Sequence, residues 1–266
     1  MKRGCVIGYD INEKGCQISY YDDSMEEPDT MMASSNNYLI PLVLGYFKDR
    51  WVFGKEAKRL AVAGEDCTET DLYGKAKRRE KVSLAGKTYD AVWLLAKYIS
   101  LTLQDFENIQ YLTFTTPETD VDMAKMLKGI GQHIGVDKEI INVQDYKESF
   151  CQYMIFQPKE LWQYESALFY CDEDRIKAYM LRRLRVDASH GMNSFVTVDE
   201  VANAQRKELE ALYPIMNKEK SPDESFKSMI ENVFEKKVIS SVYLTGEGFE
   251  KNWYPNSLRV LCNGRR

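Results

Sequence analysis

One pattern occurs twice in this sequence and constrains it more than any other feature. Gly4 to Tyr9 and Gln17 to Tyr21 are apolar or aromatic runs flanking the polar turn Asp10-Ile11-Asn12-Glu13-Lys14-Gly15, which predicts a β-hairpin at the first residues. Leu161 to Tyr170 and Arg175 to Arg185 repeat the arrangement around Cys171-Asp172-Glu173-Asp174. A chain of 266 residues has room for one large domain or two lobes, and a hairpin opening each half is the order expected of two.

Between the hairpins, strand and helix signals alternate in α/β fashion. Asp22 to Asn37 is polar, acidic and contains Pro28, so it reads as a loop; Tyr38 to Leu44 and Arg50 to Phe53 read as strands joined by a tight Gly45-to-Asp49 connection. A short helix starts at Gly54, and the basic run Lys75, Lys77, Arg78, Arg79, Lys81 reads as a solvated face. Val92, Leu95, Ala96, Ile99 and Leu103 have helical spacing and predict an amphipathic helix over Thr88 to Phe106. Ile109 to Thr115 is a strand, Val121 to Ile134 a helix, Ile140 to Val143 a strand and Tyr146 to Ile155 a helix. After the second hairpin, Val198 to Tyr213 and Pro222 to Lys237 read as helices, with Ser221 as the N-cap of the latter. Ile239 to Leu244 is a strand, Thr245-Gly246-Glu247-Gly248 a turn, and Trp253 to Cys262 a last helix.

Composition excludes several kinds of chemistry. Cys5, Cys16, Cys67, Cys151, Cys171 and Cys262 contain no CxxC spacing, a pattern of a reducing compartment rather than of a zinc or redox site. His133 and His190 are the only imidazoles, so a multi-histidine metal centre is ruled out. A net charge of −5 gives no global reason to expect nucleic acid or an anionic membrane. The apolar start is broken at Asp10, too early for a secretory signal, and the longest apolar run elsewhere, Tyr38 to Phe47, falls far short of a bilayer span. The chain is therefore expected to be cytoplasmic.

Four motifs occur in an order found in one superfamily. They are Val6-Ile7-Gly8-Tyr9-Asp10-Ile11-Asn12-Glu13-Lys14 in the first hairpin; Tyr38-Leu39-Ile40-Pro41 through Trp51-Val52-Phe53-Gly54-Lys55-Glu56-Ala57-Lys58-Arg59; Thr113-Phe114-Thr115-Thr116-Pro117; and Ser241-Val242-Tyr243-Leu244-Thr245-Gly246-Glu247-Gly248-Phe249. In this order the sequence resembles the actin-like ATPases, which include actin, sugar kinases and the DnaK-type heat-shock chaperones. Its ending, Thr245 to Phe249, Trp253 and Cys262 to Arg266, resembles a chaperone-like family of unknown function from clostridial bacteria. The resemblance implies a two-lobed actin-like, ribonuclease H-like α/β fold, with lobe I over residues 1–148 and a reduced lobe II over 149–266. The second lobe is short for the family, which is what a trimmed fold or part of a longer chain would give.

For the site, the resemblance implies that Asp10 orients magnesium through water and that Asp145 helps place attacking water. Gly8, Asn12 and Lys14 would lie against phosphate, and Gly246 and Gly248 against adenosine. The sequence departs from the superfamily at both phosphate turns. Asn12 replaces a glycine, Glu13 and Lys14 replace two threonines, and the second turn has no glycine but three consecutive acids. Like charges ~4 Å apart at an effective dielectric near 20 cost on the order of 4 kcal/mol before screening. The expectation is a degenerate ATPase fold, a non-hydrolysing interaction or regulatory module with an unknown protein partner, no cofactor, no nucleic acid and no membrane. The alternative is an active ATPase or small-molecule kinase that uses Asp10 with ATP or ADP and magnesium. A third reading is a filament-forming or chaperone-like protein that binds nucleotide weakly.

Overall fold

Strand β1 (Cys5–Ile11) alternates strictly, with Cys5, Ile7, Tyr9 and Ile11 buried and Val6, Gly8 and Asp10 on the other face. That alternation organises the first of the two units, residues 1–146 and 147–266, into which the chain divides. The structure is a computed structural model that describes residues 4–34, 37–172, 175–186, 193–205, 222–249 and 253–262.

The first unit continues with β2 (Gly15–Asp22), β3 (Asp29–Thr30), β4 (Ile40–Pro41), β5 (Leu44–Phe47), β6 (Arg50–Phe53), α1 (Gly54–Val62), β7 (Thr68–Glu69), α2 (Leu72–Lys77), β8 (Lys81–Leu84) and β9 (Lys87–Asp90). It ends with α3 (Ala91–Thr102), β10 (Ile109–Thr116), α4 (Val121–His133), β11 (Ile141–Asp145) and the start of α5 (Tyr146–Ile155). Its main sheet has the order β11-β10-β1-β2, with β3 and β4 both on β2. β1 is antiparallel to β2 and parallel to β10, which is parallel to β11. Tyr9 meets Phe114 edge-on at 5.6 Å, and its hydroxyl lies 2.8 Å from Thr102 Oγ1 on α3, so the core is tied to that helix through a satisfied polar group. Side chains set the helix starts: Asp90 accepts from the N–H groups of Val92 and Trp93, and Asp120 from that of Met123.

The second unit contains β12 (Glu165–Cys171), β13 (Arg175–Val186), β14 (Asn193–Gln205), α6 (Pro222–Phe234), β15 (Ile239–Thr245) and α7 (Pro255–Cys262). Its sheet order is β14-β13-β12-β15; β12 is antiparallel to β13 and parallel to β15. Each unit thus has a first strand hairpinned to the second and lying parallel to a strand that returns after a helix. Phe226 of α6 centres the core, touching the rings of Phe169, Phe249 and Trp253 at 5.4–5.6 Å. Buried Asp223 accepts from the N–H groups of Asn256 (2.7 Å) and Ser257 (2.8 Å) at the start of α7. Burial alone would raise the Asp223 carboxyl, but these hydrogen bonds outweigh it and hold it below its ordinary range.

The α/β class expected from the sequence is the class observed, and both hairpins form where they were placed. The helix expected over Val198 to Tyr213 does not begin there: Val198 to Gln205 belongs to β14, and 206–213 lie outside the described residues. Val198, Val201, Ala202 and Gln205 have helical spacing, but the preceding Phe195-Val196-Thr197-Val198 favours a strand, and twelve paired positions with β13 decide it. Val201 is the extra residue of a β14 bulge opposite Ala178 and Tyr179 of β13. The helix expected over Thr88 to Phe106 is shorter, because Thr88 to Asp90 lies in the β8–β9 hairpin. The proposed cap Ser221 and residue His190 lie outside the described residues. Among the described residues, no helix is long and apolar enough to cross a membrane.

Phe226→Ala is expected to cost about 3–5 kcal/mol, since it empties the centre of the second core. Val62→Ala, at an 82% exposed position, is expected to change stability by less than about 0.5 kcal/mol. Urea unfolding of the two variants checks both.

Candidate functional site

The C-terminal ends of the parallel strands β1, β10 and β11 form one edge of the first sheet, the place where open α/β sheets hold ligands. Asp10 pairs with Thr115, and Thr116 with Asp145. Since paired residues of parallel strands share a face and successive residues alternate, the register assigns Asp10 and Asp145 to opposite faces of the sheet. Asp145 is on the side of buried Leu112 and Phe114, is itself 9% exposed, and directly precedes α5. Asp10 is on the other side, where Tyr146, the first residue of α5, donates its hydroxyl to both carboxylate oxygens at 3.0 and 3.2 Å.

Burial pushes the Asp10 carboxyl up to about 6, against the opposing effects of the Tyr146 hydroxyl and the Ile11 N–H. Buried Tyr73, on α2, has its hydroxyl raised by burial and then by the negative charges of Glu13, Asp10, Asp120 and Glu118. These four acids mark the region as one of negative potential, in which a triphosphate meets like charge. Sequence reasoning missed Tyr146, because only the sheet brings it to Asp10, and it missed Tyr73, which feels these acids through the fold.

The turn that should cradle phosphate is closed on itself. Asn12 Oδ1 accepts from the N–H groups of Lys14 (2.9 Å) and Gly15 (3.2 Å), and Asn12 N–H donates to the Gly15 carbonyl at 3.0 Å. This is an Asx turn, in which the carboxamide takes up donors that an anion-binding nest would present. Gly8 lies within β1, and a Cβ there would meet only Ser19, at 3.9 Å. That position is not held open by a close neighbour.

The second hairpin has the same closure. Asp172 Oδ1 accepts from Arg175 N–H at 2.7 Å, and Asp172 N–H donates to the Arg175 carbonyl at 3.0 Å. The pairs Ile11–Cys16 and Cys171–Ile176 close the two hairpins, which makes Asn12 and Asp172 equivalent and puts Tyr170 where the first hairpin has Asp10. Glu173 and Asp174 lie outside the described residues. Gly246 and Gly248 have a packing role here. Gly246 has φ +95°, a Cβ on it would lie 2.2 Å from the Cys171 carbonyl oxygen, and one on Gly248 would lie 2.3 Å from Cys171 Sγ. The turn after β15 therefore sits directly on the second hairpin. Each turn, taken by itself, thus spends on its own side chain backbone donors that a bound phosphate would need.

Because the folded Asp10 carboxyl titrates near 6 and an unfolded one near 3.8, the folded state binds the extra proton between those values. Asp10 thus weakens the fold fully above about pH 6, and the penalty fades as pH falls toward 4. Asp10→Asn is expected to stabilise the protein by about 1–3 kcal/mol at neutral pH, with a smaller gain at acidic pH. Denaturant midpoints of both proteins across this range check the sign.

A search of the curated proteins gives no match. Residues 27–266 match the family described as a family of unknown function (DUF5716), C-terminal, so the match spans β3 through the end of the second unit and begins after Gly8, Asp10, Asn12 and Lys14. Extending over most of the sequence, it shows that the chain belongs to the DUF5716 C-terminal family.

Proposed function

We propose that the chain is a non-hydrolysing interaction or regulatory module on a degenerate actin-like ATPase scaffold, acting in the cytoplasm on a protein partner. The repeated sheet order supports the scaffold: each unit joins an antiparallel hairpin to a parallel returning strand, the arrangement a duplicated ribonuclease H-like fold requires. The observation that carries the loss of hydrolysis is the closure of both turns by Asn12 and Asp172.

Magnitudes favour this reading. Opening the first turn to phosphate forgoes the hydrogen bonds from Lys14 and Gly15, and opening the second forgoes the one from Arg175, at about 0.5–1.5 kcal/mol each. A ligand with a Kd near 1 mM has only about 4 kcal/mol of binding free energy. The loss at the first turn alone, about 1–3 kcal/mol, takes up much of it before the acids around Tyr73 are counted. Phosphoryl transfer needs positioning and neutralisation of charge, and this edge supplies neither. The alternative, an ATPase or kinase using Asp10 and Asp145 together, also asks for two carboxylates that the register assigns to opposite faces.

Isothermal titration with ATP and ADP, with and without magnesium, is expected to give no saturable heat for a Kd tighter than about 1 mM. Magnesium-dependent binding, with turnover abolished by Asp10→Ala, would restore the enzyme reading.

A further inference from the structure

A second region of the first unit has the build of a ligand site and does not depend on the actin-like scaffold. A groove of about 400 Å³ runs between α3 and α4, with Trp93, Val92, Ala96, Met126 and Ile130 as its apolar lining. That volume is within the roughly 300–1,000 Å³ of sites that hold one small organic molecule. Trp93 is 38% exposed and fixed in place, stacked on Tyr89 (5.5 Å, 12° between planes) and packed against Trp51 at 5.8 Å. It gives the groove a rigid aromatic wall.

The polar rim is cationic. Arg79, Lys125 and the His133 imidazole line the groove, and among the described residues none of these three side chains has a hydrogen-bond or ion-pair partner. Their neighbours in the basic run differ: Lys75 is paired with Glu69 at 2.8 Å, and Arg78 with Asp71 and Glu80. Arg79 is also in the left-handed region, with φ +54°. Asp90 is the acid on the rim, and its Oδ1 already accepts from Val92 and Trp93 at the start of α3. Gly129, inside α4, borders the groove and has nothing within 4 Å of where its Cβ would be. A glycine inside a helix costs about 1 kcal/mol relative to alanine, and here its effect is to leave the groove open.

We propose that this groove binds a small organic anion, an aromatic or aliphatic body carrying a carboxylate or phosphate, with the body against Trp93 and the α3–α4 floor and the anion between Arg79, Lys125 and His133. Guanidinium and ammonium groups without intramolecular partners are the chemistry that recognises such anions, and the indole face suits a planar body.

The test titrates the full chain with naphthoate, neutral naphthylmethanol and cationic naphthylmethylamine, followed by Trp fluorescence and amide resonances. Naphthoate is expected to saturate at sub-millimolar concentration, about tenfold tighter than the neutral analogue, and to shift Trp93, Gly129 and His133. The double variant Arg79→Ala/Lys125→Ala is expected to weaken naphthoate about tenfold while leaving naphthylmethanol unchanged. Gly129→Leu fills the groove from an open position, so it is expected to abolish binding of all three probes without lowering Tm. Equal binding of the three probes, no saturation up to about 5 mM naphthoate, or unimpaired binding by a folded Gly129→Leu variant would each overturn the proposal.

Discussion

The structure depends on the central strand of each sheet satisfying two different neighbours at once. β1 must pair antiparallel with β2 and parallel with β10 while sending Ile7, Tyr9 and Ile11 into one core. β12 does the same between β13 and β15, with Ala167, Phe169 and Cys171 inward. A one-residue slip in either strand would reverse its faces, so the register is fixed by burial. Everything at the candidate edge follows from it. The register sets Asp10 and Asp145 back to back, and it brings Tyr146, one residue after Asp145, to the side of Asp10.

The same register makes the turns comparable. Asn12 and Asp172 occupy one position in two hairpins and close them with the same side-chain bond to the amide three residues on. Closure by Asn12 and Asp172 is a structural economy: each side chain takes up an amide of its own hairpin that would otherwise need another acceptor. A phosphate-binding turn is the reverse case, since its donors must be left for a ligand. Gly246 and Gly248 fit the same view, because the contacts that require them are with Cys171 and Asp172.

Local signals carried most of the fold. The hairpins, the α3 stripe and the strand at Ile239 are written in runs of neighbouring residues, and they form where periodicity places them. The β8–β9 hairpin was hidden by its charged residues, and β14 by a spacing of valines and alanines that suits a helix as well as a strand. At the site, the sequence indicated Asp10 and the unusual turn residues, and Asn12 is a residue type that closes such turns on the amide two residues on. Tyr146 lies 136 positions from Asp10, and no local pattern could place it beside that carboxylate; Tyr73, 63 positions away, is within reach of its charge. The α3–α4 groove is non-local in the same sense, although Arg79 belonged to a basic run whose other members proved to be paired or solvated.

The central claim is that the hairpin amides are already taken. Amide resonances of Lys14, Gly15 and Arg175 in isotope-labelled protein, followed as magnesium and ATP are added to several millimolar, test it at the atoms concerned. The account predicts that these three resonances stay where they are. Saturable shifts at all three would mean that the turns open to phosphate, and would contradict it.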